Sequence, residues 1–476
     1  MKMLLVVILA TTLTRVSSTS VCDTCECIGL EQLKLINCSS RGLHHTFPNE
    51  TLWSMDAQSQ EDLQVSVSME KNRISRVEQF PYLPRVRRLS LAHNTILDIA
   101  THAFAKLDSL THLDLSYNHL SGDAVRADVL RGSYRKEEYE PMHLISLNLA
   151  HNDIHSLGRK AFEHLPYLQE LYLTGNPLKL IDVPTTTTLG YPKALKILDL
   201  SATGLSALSD EFVHLPSLKN HLEVLILSDN NFTEVPEELA SLGSSLWELN
   251  LNGNPLLELG EGSLLGLRRL RVLSISGMPH LKRIGPAAFD ELDNLTVLYA
   301  AHNPHLSNID EAAFRQLRTL KALHLEHCAL DWLPEKLLPW EDLEVVDIQS
   351  NPWLCDCDLN WMTTKLVPLL ATEDPEHVVD LHCASPQWLA GVNLLSLSQH
   401  PDGGRGPLCA PEPREPVKRH LRPRSIAATL MLAIAVCICS VAAITACFIC
   451  YRRLRVFRPV VLGTVVYVPV REEAKY

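Results

Sequence analysis

Cysteine is the residue type in this chain with the most evident chemistry, and its thirteen copies fall into distinct sets. Grouped thiols either form disulfides or bind zinc as thiolates. The Cys-x-x-Cys pair at Cys22 and Cys25 has no second pair at zinc-binding spacing nearby, which favours disulfides, although four cysteines permit three pairings. The sets are Cys22, Cys25, Cys27 and Cys38; Cys355, Cys357, Cys383 and Cys409; and Cys437, Cys439, Cys447 and Cys450, with Cys328 alone.

Catalytic and phosphate-binding motifs are missing from the 476 residues. The sequence has no Gly-Lys dipeptide, which a phosphate-binding loop requires, and no His-Glu pair, which the zinc-protease helix motif requires. We therefore predict that the protein is not an enzyme and that it has no catalytic, cofactor or metal site.

A repeated motif must position the side chains of the long middle segment. Leucine, any residue, leucine, two residues and asparagine recur at steps of 22 to 27 residues, with one step of 34. This is the leucine-rich repeat signature, and it predicts an α/β solenoid, a horseshoe whose concave side is a parallel sheet of about twelve strands with a leucine core. The asparagine amide can bond the backbone of adjacent coils. Its position falls at Asn72, Asn94, Asn118, Asn152, Asn176, Thr203, Asn230, Asn254, Met278, Asn303, Cys328 and Asn351.

Histidine is frequent, with 21 copies, but its pattern does not predict a metal site. His93, His151, His302 and His327 all precede the asparagine position. Only the last two belong to neighbouring coils, with His324 nearby, so we interpret them as solvated turn residues.

Three coils lack the asparagine and carry Thr203, Met278 or Cys328 instead. We expect weaker turns there. We also expect Cys328 to be a buried free thiol that fills space without reacting.

A repeat array exposes its core at both ends unless caps cover it. The segment 351–361, with Cys355-Asp-Cys357, and the segment 383–391 closely resemble the cysteine-rich C-terminal cap of extracellular leucine-rich repeat proteins, and Cys22-x-x-Cys25-x-Cys27 resembles their N-terminal cap. Over about residues 22–409 the chain resembles the adhesion and guidance branch that includes connectin and capricious of arthropods. This resemblance implies the disulfides Cys22–Cys27, Cys25–Cys38, Cys355–Cys383 and Cys357–Cys409.

Two apolar segments predict a membrane topology. Residues 1–20 have the layout of a signal peptide. Residues 426–450 carry no charge and would span about 37 Å as a helix, against about 30 Å of hydrocarbon. Flanking charges are nearly balanced, so the signal peptide decides for a type I single-pass protein of the plasma membrane with its ectodomain outside. We divide the chain into signal peptide 1–20, N-terminal cap 21–62, repeats 63–350, C-terminal cap 351–410, basic Pro-rich stalk 411–425, transmembrane helix 426–450 and cytoplasmic tail 451–476.

The residue between the two leucines of each strand should face solvent on the concave side. Exposed aromatic side chains on a rigid scaffold are the usual anchors of protein interfaces, which makes this face the predicted ligand-binding surface. The step of 34 predicts an inserted loop around residues 131–140, which is either a second binding site or a solvated loop. The predicted ligand-binding residues are Asp114, Tyr172, Asp199, Ile226, Tyr299, His324 and Asp347.

Other motifs suggest modification and sorting. Sequons predict glycans at Asn37, Asn49, Asn231 and Asn294. Cys447 and Cys450 are either palmitoylated or simply apolar residues of the membrane helix. The sequence from Tyr467 to Val470 matches a tyrosine-based endocytic signal.

The charge of the predicted ectodomain restricts its partners. Residues 21–410 carry 30 basic and 51 acidic side chains, a net charge of −21, which disfavours nucleic acid and sulfated glycans. The sequence therefore predicts a cell-surface adhesion or recognition receptor that binds an extracellular protein, which could be a second copy of itself. The alternatives are a Toll-like co-receptor without its own signalling domain and a shed soluble binding factor.

Overall fold

The computed structural model describes residues 20–29, 33–53 and 64–399. These residues form a sheet of fourteen strands in sequence order, whose first pair is antiparallel and whose later pairs are all parallel. The strands are β1 (Glu26–Gly29), β2 (Leu33–Asn37), β3 (Gln64–Ser68), β4 (Val86–Ser90), β5 (His112–Asp114), β6 (Ser146–Asn148), β7 (Glu170–Tyr172), β8 (Ile197–Asp199), β9 (Val224–Ile226), β10 (Glu248–Asn250), β11 (Val272–Ser274), β12 (Val297–Tyr299), β13 (Ala322–His324) and β14 (Val345–Asp347).

The solenoid arises because each strand buries its leucines on the same side. Leu113, Leu147 and Leu171 are register partners in successive strands and are at most 2% exposed. Burying one such side chain contributes about 1.5–3 kcal/mol, and the stacking of coils repeats this contribution along the array. The predicted parallel sheet with a leucine core is therefore present, and β3 to β14 are the twelve strands of the repeats.

The asparagine ladder holds each coil to the one before it. Asn118 Nδ2 donates to the carbonyl oxygens of Leu91 (3.1 Å) and Leu115 (3.0 Å), and Asn118 Oδ1 accepts from the amide of Ile96 (3.0 Å). Leu91 and Ile96 belong to the preceding coil. The amide thus satisfies buried backbone groups in two coils at once, as the sequence predicts.

One of the coils without the asparagine keeps part of the ladder bonding. Thr203 donates its hydroxyl to the Leu200 carbonyl (2.7 Å) and so replaces part of the amide's bonding. In the preceding coil the Leu178 amide bonds to the carbonyl of Asn176 across Pro177 (2.8 Å), so it needs no acceptor from the next coil. Each of the three exceptions follows such an asparagine–proline pair, namely Asn176-Pro177, Asn254-Pro255 and Asn303-Pro304.

Short elements close the convex side of the coils. Phenylalanines such as Phe104, Phe162, Phe289 and Phe314 are at most 2% exposed there.

The helices of the repeats and of the two caps are short. The α-helices are Val21–Thr24, Val183–Leu189, Asp210–Val213, Pro216–Lys219, Val367–Glu373 and Leu394–Ser398. The 3-10 helices are Glu50–Trp53, Glu237–Leu242, Glu335–Leu337, Trp340–Asp342, Cys357–Leu359 and Pro375–Val378, and Met362–Leu366 is a π-helix. The minor strands are Arg76–Val77 with Asp98–Ile99, Tyr134–Arg135 with Glu138–Tyr139, Glu258–Leu259 with Arg283–Ile284 and Asn308–Ile309, and Trp353–Leu354 with Cys383–Ser385.

Disulfides fasten both ends of the array. Cys22 bonds to Cys27, Cys25 to Cys38 and Cys355 to Cys383, which are pairs that the family resemblance implies. Cys357 is also disulfide-bonded, and its implied partner Cys409 lies outside the described residues.

Several predictions concern segments that lie outside the described residues. These are the signal peptide up to residue 19, the stalk, the transmembrane helix and the tail, including Cys447, Cys450, Tyr467 and Val470. Within 20–29, 33–53 and 64–399, no helix is both long and apolar enough to cross a membrane.

Candidate protein-binding surface

The strands bring every predicted ligand-binding residue into one row. Each of these residues pairs in register with its counterpart on the next strand, on the side of the sheet opposite to the leucines. We call this side the concave face. The row runs Ser90, Asp114, Asn148, Tyr172, Asp199, Ile226, Asn250, Ser274, Tyr299, His324 and Asp347.

The acidic and amide members of this row have a structural role that the sequence pattern did not reveal. Asp199 Oδ1 accepts from the amide (2.9 Å) and the hydroxyl (2.5 Å) of Ser201, two residues further along the chain. This local bond satisfies a backbone amide at the end of the strand. The same bond to the amide two residues on is made by Asp114, Asn148, Asn250 and Asp347.

The two tyrosines of the row differ in accessibility. Tyr172 is half-buried, and burial, with the nearby carboxylates of Glu170 and Asp199, raises the pKa of its phenol. Tyr299 is 40% exposed, and its ring stacks on His324 with the ring centroids 4.7 Å apart. Tyr299 is thus the more available anchor.

A second row on the concave face is apolar towards the C-terminal end. Val272, Val297, Ala322 and Val345 are register partners in successive strands, and each is half-buried. They lie beside the row that holds Tyr299. Sequence reasoning missed them, although the residue before the first leucine of each motif would have identified them. We call these four residues with Tyr299 the apolar patch.

A polar cluster borders the apolar patch at the last two strands. His324 Nδ1 lies 3.8 Å from Glu326 Oε2, and ligand atoms of His324, Glu326 and Asp347 all lie within 4.8 Å of one another, so these three residues could hold a metal ion. The C-terminal cap adds His377, whose Nε2 is 3.4 Å from Asp347 Oδ2. No periodic pattern could have placed His377 here, because it lies outside the repeats.

The histidines before the ladder position are exposed turn residues, as predicted, and they also form ring stacks. The Tyr117 ring lies between His93 and His151, with centroid distances of 4.2 Å to each. His302 stacks on His327 at 4.5 Å, as their neighbouring coils predict, whereas His324 meets Glu326. A Cβ atom at Gly175 would come within 2.4 Å of the His151 ring, and this glycine also has a φ of +69°.

The inserted segment is a short hairpin that contacts the convex side. Arg131 lies 3.5 Å from the ring centroid of Tyr139, and burial lowers the pKa of His102, which stacks on the same ring. Ser133 Oγ donates to the carbonyl of Ala105. The hairpin therefore packs on the preceding coil, and its contacts to these residues are on the side away from the concave face.

The sequon asparagines and Cys328 differ in their exposure to solvent. The sequon residues Asn37, Asn49, Asn231 and Asn294 are all exposed. Cys328 is a buried free thiol, as expected, and burial raises its pKa to about 11.

Comparison with known proteins agrees with this architecture. The leucine rich repeat family model matches residues 66–120, 141–178, 220–279 and 279–330. The chain contains leucine-rich repeats over these segments. Chicken Tsukushi is 34% identical to this chain over 184 residues, which are 39% of this chain and 45% of Tsukushi.

Further similarity extends to a mouse protein and to a solved structure. The mouse transforming growth factor beta activator LRRC32 is 31% identical over 200 residues, 38% of this chain and 29% of that protein. A structure of the Toll–Spatzle complex from Drosophila matches with a TM-score of 0.46 and 19% identity, covering 70% of this chain and 54% of the other. The chain thus spans less than half the length of Tsukushi and of LRRC32, and neither name denotes an enzyme.

Proposed function

We propose that the protein is a cell-surface recognition receptor that binds a protein ligand through its concave face. The predicted signal peptide and the predicted span at 426–450 would hold it in the plasma membrane with the repeats outside. Disulfides at both ends of the array and four exposed sequons support this placement, because disulfides and such glycans belong to the secretory route.

The apolar patch carries the proposal. Four half-buried aliphatic side chains beside an exposed tyrosine form a connected surface on a rigid sheet. Aromatic and aliphatic anchors surrounded by polar residues are the usual centre of a protein interface. The net charge of −21 over residues 21–410 favours a neutral or basic protein over nucleic acid or sulfated glycans.

Two kinds of protein ligand fit this surface. The resemblance to connectin and capricious favours the ectodomain of another cell-surface protein, including a second copy of this chain. The similarity to the transforming growth factor beta activator favours a soluble growth factor as the second candidate. Both would occupy the concave face, so the location of the site and the identity of the ligand can be tested separately.

The test is a binding screen on cells that express the full chain. A library of extracellular domains, including the protein's own, and a panel of growth factors would be applied as soluble probes. For the probe that binds, we expect Tyr299→Ala to cost about 1–3 kcal/mol in affinity, the usual range for an aromatic anchor, with unchanged surface expression. Tyr172→Ala should cost less, because that side chain is half-buried in the free protein.

Two further variants separate the faces of the array. Arg159 is exposed on a turn of the convex side, so Arg159→Ala should leave binding unchanged. Full-strength binding by both tyrosine variants, together with loss of binding when residues 131–140 are deleted, would assign the site to the hairpin instead.

A further inference from the structure

Three potential metal ligands converge where the concave face ends. His324 is the last residue of β13, and Asp347, the last residue of β14, is its register partner. Glu326 lies two residues after His324, so its side chain points to the same side of the coil. His324 Nδ1 is 3.8 Å from Glu326 Oε2, and one ligand atom from each of the three residues lies within 4.8 Å of the others.

The carboxylate of Glu326 is the least satisfied member of this group. Its side chain is only 19% exposed, and Oε2 is buried without a hydrogen-bond partner among the described residues. Burying a carboxylate oxygen without a donor or a cation is costly. An imidazole 3.8 Å away is too distant to donate a hydrogen bond, so the geometry calls for a positive charge between the two groups.

We propose that His324 Nδ1, Glu326 Oε2 and a carboxylate oxygen of Asp347 bind a divalent transition-metal ion of the zinc class. Zinc binds nitrogen and carboxylate oxygen at about 2.0–2.2 Å, so tetrahedral ligands lie about 3.4 Å apart. His324 Nδ1 and Glu326 Oε2 are now 3.8 Å apart and the ligand atoms of all three residues lie within 4.8 Å of one another, so side-chain rotations would have to shorten these distances on binding. One nitrogen and two carboxylates do not suit calcium, which takes 6–8 oxygen ligands. Three protein ligands leave the fourth position of the ion open.

Neighbouring residues already hold two of the ligands in place. Asp347 Oδ1 accepts from the amide of Gln349 (3.1 Å), and Asp347 Oδ2 lies 3.4 Å from His377 Nε2. His377 is oriented in turn by Asp374, whose Oδ2 is 2.6 Å from His377 Nδ1. Such outer partners fix ligand orientation in metal sites, which makes His377 a positioning residue. The Tyr299 ring stacked on His324 limits rotation of the imidazole.

The other histidine pair of this region lacks these properties. His302 and His327 stack with their ring planes 13° apart. Lone pairs of imidazole nitrogens lie in the ring plane, so stacked parallel rings do not direct them at a common point. The pair is therefore the appropriate control for zinc bound elsewhere on the surface.

The test measures zinc affinity of the full chain, stripped of metal with a chelator, by competition against a chromogenic chelator near pH 7.5. We expect one ion per chain and a loss of affinity of at least about 100-fold in Asp347→Asn and in Glu326→Gln, since both remove a ligand. His377→Gln should lose about 10- to 100-fold, the usual effect of an outer partner. Unfolding temperatures measured without metal should match those of the unsubstituted protein.

Matched controls use the repetition of the array. Asp199→Asn makes the same change in the same row, and Asn148 and Asn250 show that an amide can make the local backbone bond there. Asp199→Asn and His327→Gln should therefore keep full zinc affinity. Cobalt in place of zinc should give the absorption of a four-coordinate ion, and this signal should disappear in Glu326→Gln.

Three results would overturn the proposal. The chain could bind no zinc, it could bind zinc equally well after Asp347→Asn and Glu326→Gln, or calcium could displace the zinc at equal concentration. The first two results would leave His324 and Glu326 as an ordinary ion pair. The proposal does not depend on protein binding at the concave face, because the measurement contains no partner.

Discussion

The two halves of the concave face share one scaffold but expose different chemistry. In β4 to β7 the residue before the first leucine is Arg88, His112, Ser146 or Glu170, whereas in β11 to β14 it is one of the four aliphatic residues of the apolar patch. The buried leucine core continues through both halves, and so does the asparagine ladder apart from Met278 and Cys328 in the C-terminal half. The inner side of each strand therefore sets the fold, and the outer side is free to differ from coil to coil.

The largest expected effect is on the shared scaffold. Asn176→Ala would leave the carbonyls of Leu149 and Leu173 and the amide of Ile154 without their side-chain partner. Each unsatisfied buried group costs about 1–3 kcal/mol, so we expect a loss of about 3–5 kcal/mol in the free energy of unfolding by denaturant. Thr203→Ala is the matched control at the next ladder position and should cost about 1 kcal/mol. Equal losses at both positions would show that the ladder does not depend on the amide.

The next effect separates the two halves directly. Val297→Asp places a charge in the apolar patch and should weaken partner binding by at least about 2 kcal/mol, because the carboxylate would be desolvated without a partner. Ser146→Asp introduces the same side chain at the corresponding position of β6, in the N-terminal half where this position is polar, and we expect little change in affinity. The measurement compares the affinities of the two variants for the ligand found in the cell screen. A greater loss with Ser146→Asp would move the site to the N-terminal half.

Sequence alone predicted the parts of the molecule that repeat. The leucines, the asparagine positions and the row of Tyr172 and Tyr299 follow from a fixed spacing, so each coil confirms the next. The apolar row recurs at the same spacing, one residue before the first inward-facing residue of each strand, but the sequence pattern of leucines and asparagines does not itself predict it. The sequence predicts Asp114 and Asp199 as ligand-binding residues, and the structure shows that their carboxylates also accept the backbone amide two residues further on, at the ends of their strands.

Other features depend on contacts that the spacing does not encode. His377 reaches Asp347 from the C-terminal cap, and only the folded cap brings the two together. In the hairpin of the long coil, Ser133 bonds to the carbonyl of Ala105, and the ring of Tyr139 stacks on His102. The number of inserted residues cannot predict these contacts. Thr203 takes the ladder position one coil after Pro177, where the Leu178 amide already bonds to the Asn176 carbonyl, and the spacing of the leucines does not encode that bond.

Cys328 replaces a ladder asparagine in the C-terminal half, and the pH dependence of stability shows whether its thiol is buried or accessible. Burial raises its pKa from 9.0 to about 11, so the folded state holds the thiol proton more tightly than the unfolded state. The stability that the protonated Cys328 thiol contributes to the folded state is complete below pH 9 and is lost as the pH rises towards 11. We expect the difference in unfolding free energy between the protein and Cys328→Ala to fall by about 1 kcal/mol from pH 8 to pH 10. A difference independent of pH, with rapid labelling by a thiol reagent at pH 8, would show an accessible thiol.

The smallest expected effect concerns two acidic residues of the concave face outside the apolar patch. Asp114→Asn and Asp199→Asn each remove one negative charge but keep the local hydrogen bond, because an amide oxygen accepts it equally well at Asn148 and Asn250. Charges outside the centre of an interface act mainly on the association rate. For a basic ligand we therefore expect each variant to lower the association rate about twofold at low salt, with dissociation unchanged. Added salt should remove the difference, because screening over about 8 Å at physiological ionic strength weakens exposed charges. A change confined to dissociation would mean that these carboxylates contact the ligand directly, and the binding surface would then extend across both halves of the concave face.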